Sequence, residues 1–428
     1  MIRSSILCLL TLFASLPGRA ADTVPAREST SERNVALTFE TALTLADGVN
    51  PELAVANRQI EIAAGTELQA RARPNPDLSF TGDWLGQPQR ESTLALSQEI
   101  EIGGKRKARM NYAALGREVA TVAAAAERAN VRATVRQTFF SALAAQEQTR
   151  LGAGSVALAT RAANAAGRQI KAGRLAPVAL SRAQIAVSNA ELDLIEAETQ
   201  LATARKRLYA LWGETDDMAP LAGVLESLPT LPEQSELLQA VEQAPQMLQA
   251  RRDIERSEAG IGVERSRRIG NLTIGGGARR LAEDGSNAAI VTLSMPLPIF
   301  DRNRGNLAAA IATRDQALDR ERALRTRLQR DIGEAYAQYR GRRLAVAAIH
   351  DNILPAAQLA LDATSKAFEL GRFGIIDVLD AQKILFTART QYARALADAH
   401  SAYADIERAL GGITAIAVEK LDGESNEH

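Results

Sequence analysis

Residues 77–84 have the sequence DLSFTGDW, in which polar and apolar side chains alternate without a break. A second alternating stretch begins at about residue 92, after the turn sequence GQPQ. A period of two places Leu78 and Phe80 on one face of a strand and their polar neighbours on the other. We therefore predict a β-hairpin, with strands at about 77–85 and 92–100, that has one apolar and one polar face.

The plan around this hairpin is repeated later in the chain at an offset of about 194 to 198 residues. Asn50-Pro51 corresponds to Ala244-Pro245, and Gly173-Arg174 corresponds to Gly371-Arg372. The chain is therefore predicted to be a duplication of a helix-strand-strand-helix unit. Its predicted parts are a signal peptide at 1–20, an N-terminal linker at 21–36, a first repeat at 37–213, a linker at 214–234, a second repeat at 235–412 with strands at about 271–279 and 289–297, and a C-terminal tail at 413–428.

Unusually long helical patterns follow each predicted hairpin. Residues 105–172 and 303–370 would each form a helix about 100 Å long at 1.5 Å per residue. A helix of that length needs partners along its whole surface, since most helical stability comes from tertiary packing. The glycines at 173 and 371 end these runs and begin antiparallel helical hairpins. The predicted return helices span 176–211 and 375–410, and the predicted opening helix spans 37–73.

Composition excludes several classes of function. Lys plus Arg and Asp plus Glu both number 51, so no basic surface indicates a nucleic-acid partner. The single cysteine, Cys8, lies in an N-terminal apolar run between Arg3 and Ala20, a pattern typical of an export signal. The mature chain would then have no disulfide or thiolate site, and its three histidines are too scattered for a catalytic metal centre. No cofactor, metal site or enzyme activity is expected.

The two hairpins raise a physical problem that assembly would solve. Four strands with one apolar face leave open edges, and a bilayer does not tolerate unpaired backbone groups. Three copies would supply about 12 strands, enough to enclose a passage, whereas an eight-stranded barrel is normally filled by its side chains. A soluble periplasmic coiled-coil scaffold with surface hairpins is the alternative, and it would fractionate with periplasm. The polar side chains expected to line the barrel lumen are Asp77, Asp83, Glu99 and Arg279.

The chain resembles the TolC family of outer-membrane efflux ducts over about residues 37–412. The most specific elements are the duplicated plan and the two turns AGRLAPV at 172–178 and LGRFGIIDVLDA at 370–381. The segments EIGGKR at 101–106 and PLPIFDRNRG at 296–305 are similar to those of the cobalt-zinc-cadmium resistance branch. The resemblance implies an α+β membrane protein, a homotrimer whose 12-stranded transmembrane β-barrel is continued by a long periplasmic α-helical barrel.

The same resemblance implies partners and site residues. Such a duct spans the outer-membrane lipid of a Gram-negative bacterium and docks onto a periplasmic membrane-fusion (adaptor) protein and an inner-membrane pump of the resistance-nodulation-division (RND) type. Asp377 and Asp380, one helical turn apart, would form acidic rings that gate the periplasmic constriction. A solvated helix face is the alternative interpretation of these two aspartates. The turn residues expected to contact the adaptor are Gly173, Arg174, Leu175, Gly371, Arg372 and Phe373.

The predicted function is therefore a passive duct for the efflux of divalent heavy-metal cations such as cobalt, zinc and cadmium. A duct of the same family for drugs or other organic compounds is the alternative. The two cannot be separated from the residues of the duct, because specificity in such assemblies is expected to lie chiefly in the pump.

Overall fold

The computed structural model describes residues 36–83, 91–173, 175–214, 219–281 and 285–412. The predicted signal peptide, nearly all of the N-terminal linker, Arg174 and the C-terminal tail lie outside the described residues. The helices are α1 (Phe39–Val49), α2 (Pro51–Ala70), α3 (Lys105–Lys171), α4 (Pro177–Tyr209), α5 (Gln234–Ala240), α6 (Pro245–Ser266), α7 (Arg304–Ala348), α8 (Leu354–Glu369) and α9 (Ile375–Leu410), and the strands are β1 (Asp77–Asp83), β2 (Glu91–Ile100), β3 (Leu272–Leu281) and β4 (Asn287–Ser294).

The two hairpins join into one antiparallel sheet with the strand order β1-β2-β3-β4. Each strand lies within about three residues of its predicted position. The register places Leu78 opposite Leu96 and Phe80 opposite Leu94, so these four side chains share one face. All four are more than half exposed. The protomer therefore presents an apolar sheet face that nothing in the described part of the chain covers.

The opening helix is not continuous, which corrects the single helix predicted for 37–73. It breaks at Asn50, and α2 begins at Pro51. Proline has no N–H to donate to the preceding turn, so it is favoured at the first position of a new helix. The Asn50 side chain accepts hydrogen bonds from the backbone N–H groups of Glu52 and Leu53 and thereby caps α2. The second repeat breaks at the matching place, before Pro245.

The two long helices differ from each other, although the sequence predicted them to be alike. Helix α3 runs without interruption for 67 residues. Its counterpart is divided into α7 and α8 by a π-helical turn, Ile349–Ile353. Pro355 follows this turn, and the wider π turn accommodates a residue that cannot complete the α-helical hydrogen-bond pattern. The prediction of one uninterrupted helix over 303–370 is therefore wrong at Ile349–Ile353, about two-thirds of the way along the run.

Helix α3 is the central packing element, because it contacts α2, α4, α6 and α9. Two separate hydrophobic cores form, one around Phe139 and Leu208 and the other around Met247, Ile332 and Tyr339. The side chains at these centres are almost fully buried. The second core is built from α5, α6, α7 and α9 of the second repeat, whereas the first core also includes Ala393 and Leu396 of α9, so the two repeats share it.

The apolar surface of the second long helical run is largely left uncovered. By length and composition the run Arg304–Glu369 could cross a membrane, and it is the one such helix among the described residues. Only 11% of its most apolar window of 18 residues is buried inside the protomer. Leu344 and Leu359 are 69% and 71% exposed.

Candidate channel site

The two helical turns predicted to meet a partner are built alike. Gly173 follows α3 with φ 74°, and Gly371 follows α8 with φ 71°. Both are in the left-handed region, where a Cβ atom would be strained, so glycine ends the helix at low cost. Each glycine N–H donates to a carbonyl three residues earlier, on Ile170 and Phe368 respectively. The prediction that these two glycines end the long helical runs is confirmed.

The two turns lie together at the same end of the molecule. Ile375, at the start of α9, packs into a cluster with Ala162 and Ala166 of α3 and Ala179 and Ala183 of α4. Alanine is small enough to let these helices approach closely. A groove of about 500 Å³ runs beside the cluster between α3, α8 and α9. The protomer therefore has one tip, made by both helical hairpins.

The predicted contact residues of the tip divide into two groups. Gly173, Gly371, Arg372 and Phe373 are exposed, and Phe373 is 51% exposed despite its aromatic ring. Leu175 instead packs against the alanine cluster and is half-buried. Leu175 therefore supports the shape of the tip more than it presents a surface.

Asp377 and Asp380 lie on one face of α9, both exposed. The buried residues Ile375, Val378 and Ala381 form the adjoining, packed side of the helix. The Asp377 Oδ2 atom accepts a hydrogen bond of 2.8 Å from the backbone N–H of Gly374, so this carboxylate caps the helix as well as carrying a charge. The structure brings the two aspartates together on a free helix face next to the tip.

The predicted lumen residues share the polar face of the sheet. Asp77 and Glu99 alternate with the apolar positions of β1 and β2, and Arg279 has the same parity on β3. The Arg279 guanidinium lies 3.4 Å from the Glu91 carboxylate. Asp83 belongs to the same face by register, and its side chain lies outside the described part of the structure.

The junctions between sheet and helices contain contacts that no sequence motif indicated. The Lys105 amino group donates to Asn271 Oδ1, and the Asn271 amide donates to Glu99 Oε1. Asn303, with φ 54°, donates from Nδ2 to the backbone oxygen and to the carboxylate of Glu264. These contacts join segments that are far apart in sequence and fix how each long helix leaves the sheet.

One buried ionisable residue was also missed by the sequence analysis. His400 of α9 is fully buried and stacks on Phe140, with ring centroids 3.5 Å apart. Its Nε2 donates to the Leu225 carbonyl oxygen, 3.0 Å away, and burial lowers its pKa to about 4. His400 therefore packs as a neutral ring. No group of three or more His, Cys, Asp or Glu side chains suitable for a metal ion occurs in the described ranges.

These features define a class of protein in which exposed apolar hairpins are joined to two helical runs, each about 100 Å long, that end in a shared tip. Residues 42–214 and 237–412 match the family described as outer membrane efflux protein, and the chain belongs to this family. The resemblance found in the sequence is thereby confirmed, and its members are efflux proteins of the outer membrane. The two matched ranges correspond to the two copies of the helix-strand-strand-helix unit.

Relatives of this chain within the family include proteins of heavy-metal resistance. The chain is 40% identical to the cobalt-zinc-cadmium resistance protein CzcC of Cupriavidus metallidurans over 88% of its own length and 90% of that protein. It is 29% identical to the nickel-cobalt-cadmium resistance protein NccC of Alcaligenes xylosoxydans, over 61% of each chain. The crystal structure of CusC has the same fold, with a TM-score of 0.75 and 19% identity over 89% of this chain and 93% of that one.

Proposed function

We propose that this protein is the outer-membrane duct of a three-component efflux system that exports divalent heavy-metal cations such as cobalt, zinc and cadmium. The observation that carries the proposal is the 40% identity to a cobalt-zinc-cadmium resistance protein over 88% of the chain. The duct is passive: the energy for export comes from an inner-membrane RND pump, reached through a periplasmic adaptor.

The sheet supports assembly into a barrel. Its outer strands, β1 and β4, each have one edge without a partner in the described part of the chain. Unpaired edges are costly in lipid, and the exposed apolar face formed by residues such as Phe80 and Val291 is costly in water. Pairing β4 of one copy with β1 of the next removes the first cost, and lipid around the closed barrel covers the apolar face and removes the second. Three copies close a barrel of about 12 strands whose polar face, with Asp77, Glu99 and Arg279, lines the passage.

The helices support the same assembly. Val178, Ile185 and Leu192 of α4 recur every seventh residue and are 58%, 60% and 64% exposed. This spacing is that of a helix seam that packs against another helix. The exposed apolar stretch that includes Leu344 and Leu359 offers a surface of the same kind. Packing between neighbouring subunits covers both surfaces, and the helical run 304–369 then forms wall rather than a membrane span.

The tip is assigned two roles. Its exposed turn residues, above all Arg372 and Phe373, are presented at the end of the helical hairpins, where an adaptor can bind them. Asp377 and Asp380 repeat three times around the axis of a trimer and attract cations to a narrow opening. Support for this assignment comes from their shared exposed face on α9 and from their positions three and six residues after Gly374, where the turn ends.

Three measurements test the proposal. Deletion of the gene is expected to sensitise the host to cobalt, zinc and cadmium salts, and the wild-type gene on a plasmid restores growth. The purified protein in detergent is expected to be a trimer by native mass measurement, and to fractionate with the outer membrane. Sensitivity to organic compounds alone would favour the drug duct, whereas a monomer found with periplasm would favour the soluble scaffold.

A further inference from the structure

A cavity of about 890 Å³ lies between α3, α6 and α7, close to where these helices meet the sheet. Helix α6 packs against both α3 and α7, so α6 forms the floor and the other two helices form the walls. All three helices belong to one protomer, so subunit assembly is not needed to build the cavity. Its volume is within the range of small-molecule pockets, about 300–1,000 Å³.

A chain of hydrogen bonds joins the cavity to the polar face of the sheet. Lys105 lines the cavity and donates a hydrogen bond to Asn271, whose amide donates in turn to Glu99. Glu99 lies on the polar face of β2. In the proposed duct this face lines the passage, so the hydrogen-bond chain places the cavity beside the lining of the passage; this step rests on the proposed function.

The charges around the cavity are unbalanced toward the positive. Two of its carboxylates already have partners: Glu101 pairs with Arg109, and Glu264 pairs with Arg267. Arg256 and Arg320 also line the cavity, and neither forms a direct ion pair with a described residue. The Arg256 Nε atom is buried without any hydrogen-bond partner in the described chain, which leaves a strong donor unsatisfied.

Apolar surface lies directly beside these cations. The Arg256 guanidinium is stacked over the Tyr112 ring, 5.0 Å from its centroid. Gly260 lets this ring approach α6, because a Cβ atom there would be 3.4 Å from Tyr112 Cε2. Val263 and Leu324 continue the apolar lining. The cavity therefore combines two guanidinium groups with an aromatic and aliphatic wall.

We propose that this cavity binds an amphipathic organic anion, with its oxyanion head between Arg256 and Arg320 and its apolar body against Tyr112. A planar guanidinium matches a carboxylate or sulfonate with two parallel hydrogen bonds. Such a site is separate from the export of metal cations and does not depend on which cargo the duct carries. Through this site the wall of the duct binds organic anions of about the size of naphthalenesulfonate.

Asp253 provides a control variant in which a change of charge is expected to strengthen anion binding, and not to weaken it. The Asp253 carboxylate interacts electrostatically with both arginines. Burial raises its pKa, and the charges of Arg256 and Arg320 lower it by less. An ionised Asp253 repels a bound anion and attracts the same arginines. Removal of its charge is therefore expected to strengthen anion binding, an outcome that damage to the fold would not produce.

The test uses the intact protein in lipid nanodiscs and the probe 2-naphthalenesulfonate. Equilibrium dialysis measures binding, with empty nanodiscs subtracted and with neutral 2-naphthalenemethanol as the head-group control. Arg256→Gln and Arg320→Gln are each expected to weaken binding about tenfold, because each removes a charge-assisted contact. Asp253→Asn is expected to tighten it several-fold. Arg252→Gln is the matched control, since Arg252 is exposed on the same helix and pairs with Glu118 and Glu255.

The proposal is overturned if Arg256→Gln and Arg320→Gln bind the sulfonate as Arg252→Gln does. It is also overturned if the neutral alcohol binds as tightly as the sulfonate, which would make the cavity an apolar crevice only. If either arginine variant fails to fold, the Asp253→Asn result decides: tighter binding supports the site, and unchanged or weaker binding overturns it.

Discussion

Asp377 accepts a hydrogen bond on Oδ2 from the backbone N–H of Gly374, with the two atoms 2.8 Å apart. The carboxylate thus completes the first turn of α9 in the same place where it would contribute charge to a gate. Replacement by alanine removes both the charge and the cap, and a lost cap alone costs about 1 kcal/mol. Asparagine keeps an acceptor oxygen at this position and removes only the charge, so it is the better probe.

The first prediction concerns the gate. Asp377→Asn with Asp380→Asn is expected to reduce cation preference and abolish block by divalent cations in planar bilayers, because the carboxylates that attract those ions are gone. The measurement is single-channel current in the presence and absence of a divalent salt. Asp193→Asn on α4 is the control, as it removes an exposed carboxylate far along the chain from the tip. Equal block in all three proteins would mean that the two aspartates form a solvated face.

The second prediction concerns the tip. Arg372→Glu with Phe373→Ser is expected to reduce metal resistance to the level of the deletion strain while the trimer persists. Both side chains are exposed, and Gly371, which needs its φ of 71°, is left intact. Growth on metal salts and native mass measurement check the two parts. Lys383→Glu reverses a charge on an exposed part of α9 and is expected to retain resistance. Full resistance in the tip variant would place docking elsewhere.

The third prediction is a pH dependence of stability that arises from His400. The unfolded chain takes up a proton on this residue below about pH 6.5, whereas the folded chain does so only near pH 4. The unfolded state therefore binds more protons between these values, and stability falls as the pH is lowered through this window. The full loss is about 3 kcal/mol per chain.

Chemical denaturation at several pH values between 4 and 7 checks this pH effect. His400→Gln keeps a donor for the Leu225 carbonyl and has no titration in this range, so its stability is expected to decrease less with acid. Glu407 and Arg136, which pair nearby, are present in both proteins and contribute to both curves. Parallel curves for the two proteins would show that His400 does not titrate differently on folding.

The fourth prediction concerns the junction between β4 and α7. Asn303 combines a φ of 54° with two hydrogen bonds to Glu264. Asn303→Gly loses the bonds and keeps the conformation, whereas Asn303→Ala loses the bonds and adds about 1–2 kcal/mol of backbone strain. The expected order of stability is therefore Asn above Gly above Ala. A denaturation series measures it, and an alanine variant at least as stable as the glycine variant would contradict the expectation.

Local pattern was sufficient for the strands, for the first long helix and for the two turns. The alternation around Phe80 and the glycine at 173 depend on backbone geometry within a few residues, which sequence expresses directly. The break at Asn50-Pro51 also has a local signal, an N-cap residue followed by proline, but the helical period of the apolar residues continues across it and predicts a single helix. The duplication strengthened each of these inferences, because the same pattern occurred twice.

Tertiary structure alone decided which side chains meet. Lys105 and Asn271 are separated by 166 residues, and His400 bonds to Leu225 across 175. The cavity with Arg256 and Arg320 exists because α6 lies between α3 and α7, and no motif in any of the three helices indicates that placement. Periodicity reports which face of an element is apolar, since burial follows from the local pattern of side chains. It does not report which element covers that face, because that choice depends on packing between segments that are distant in the chain.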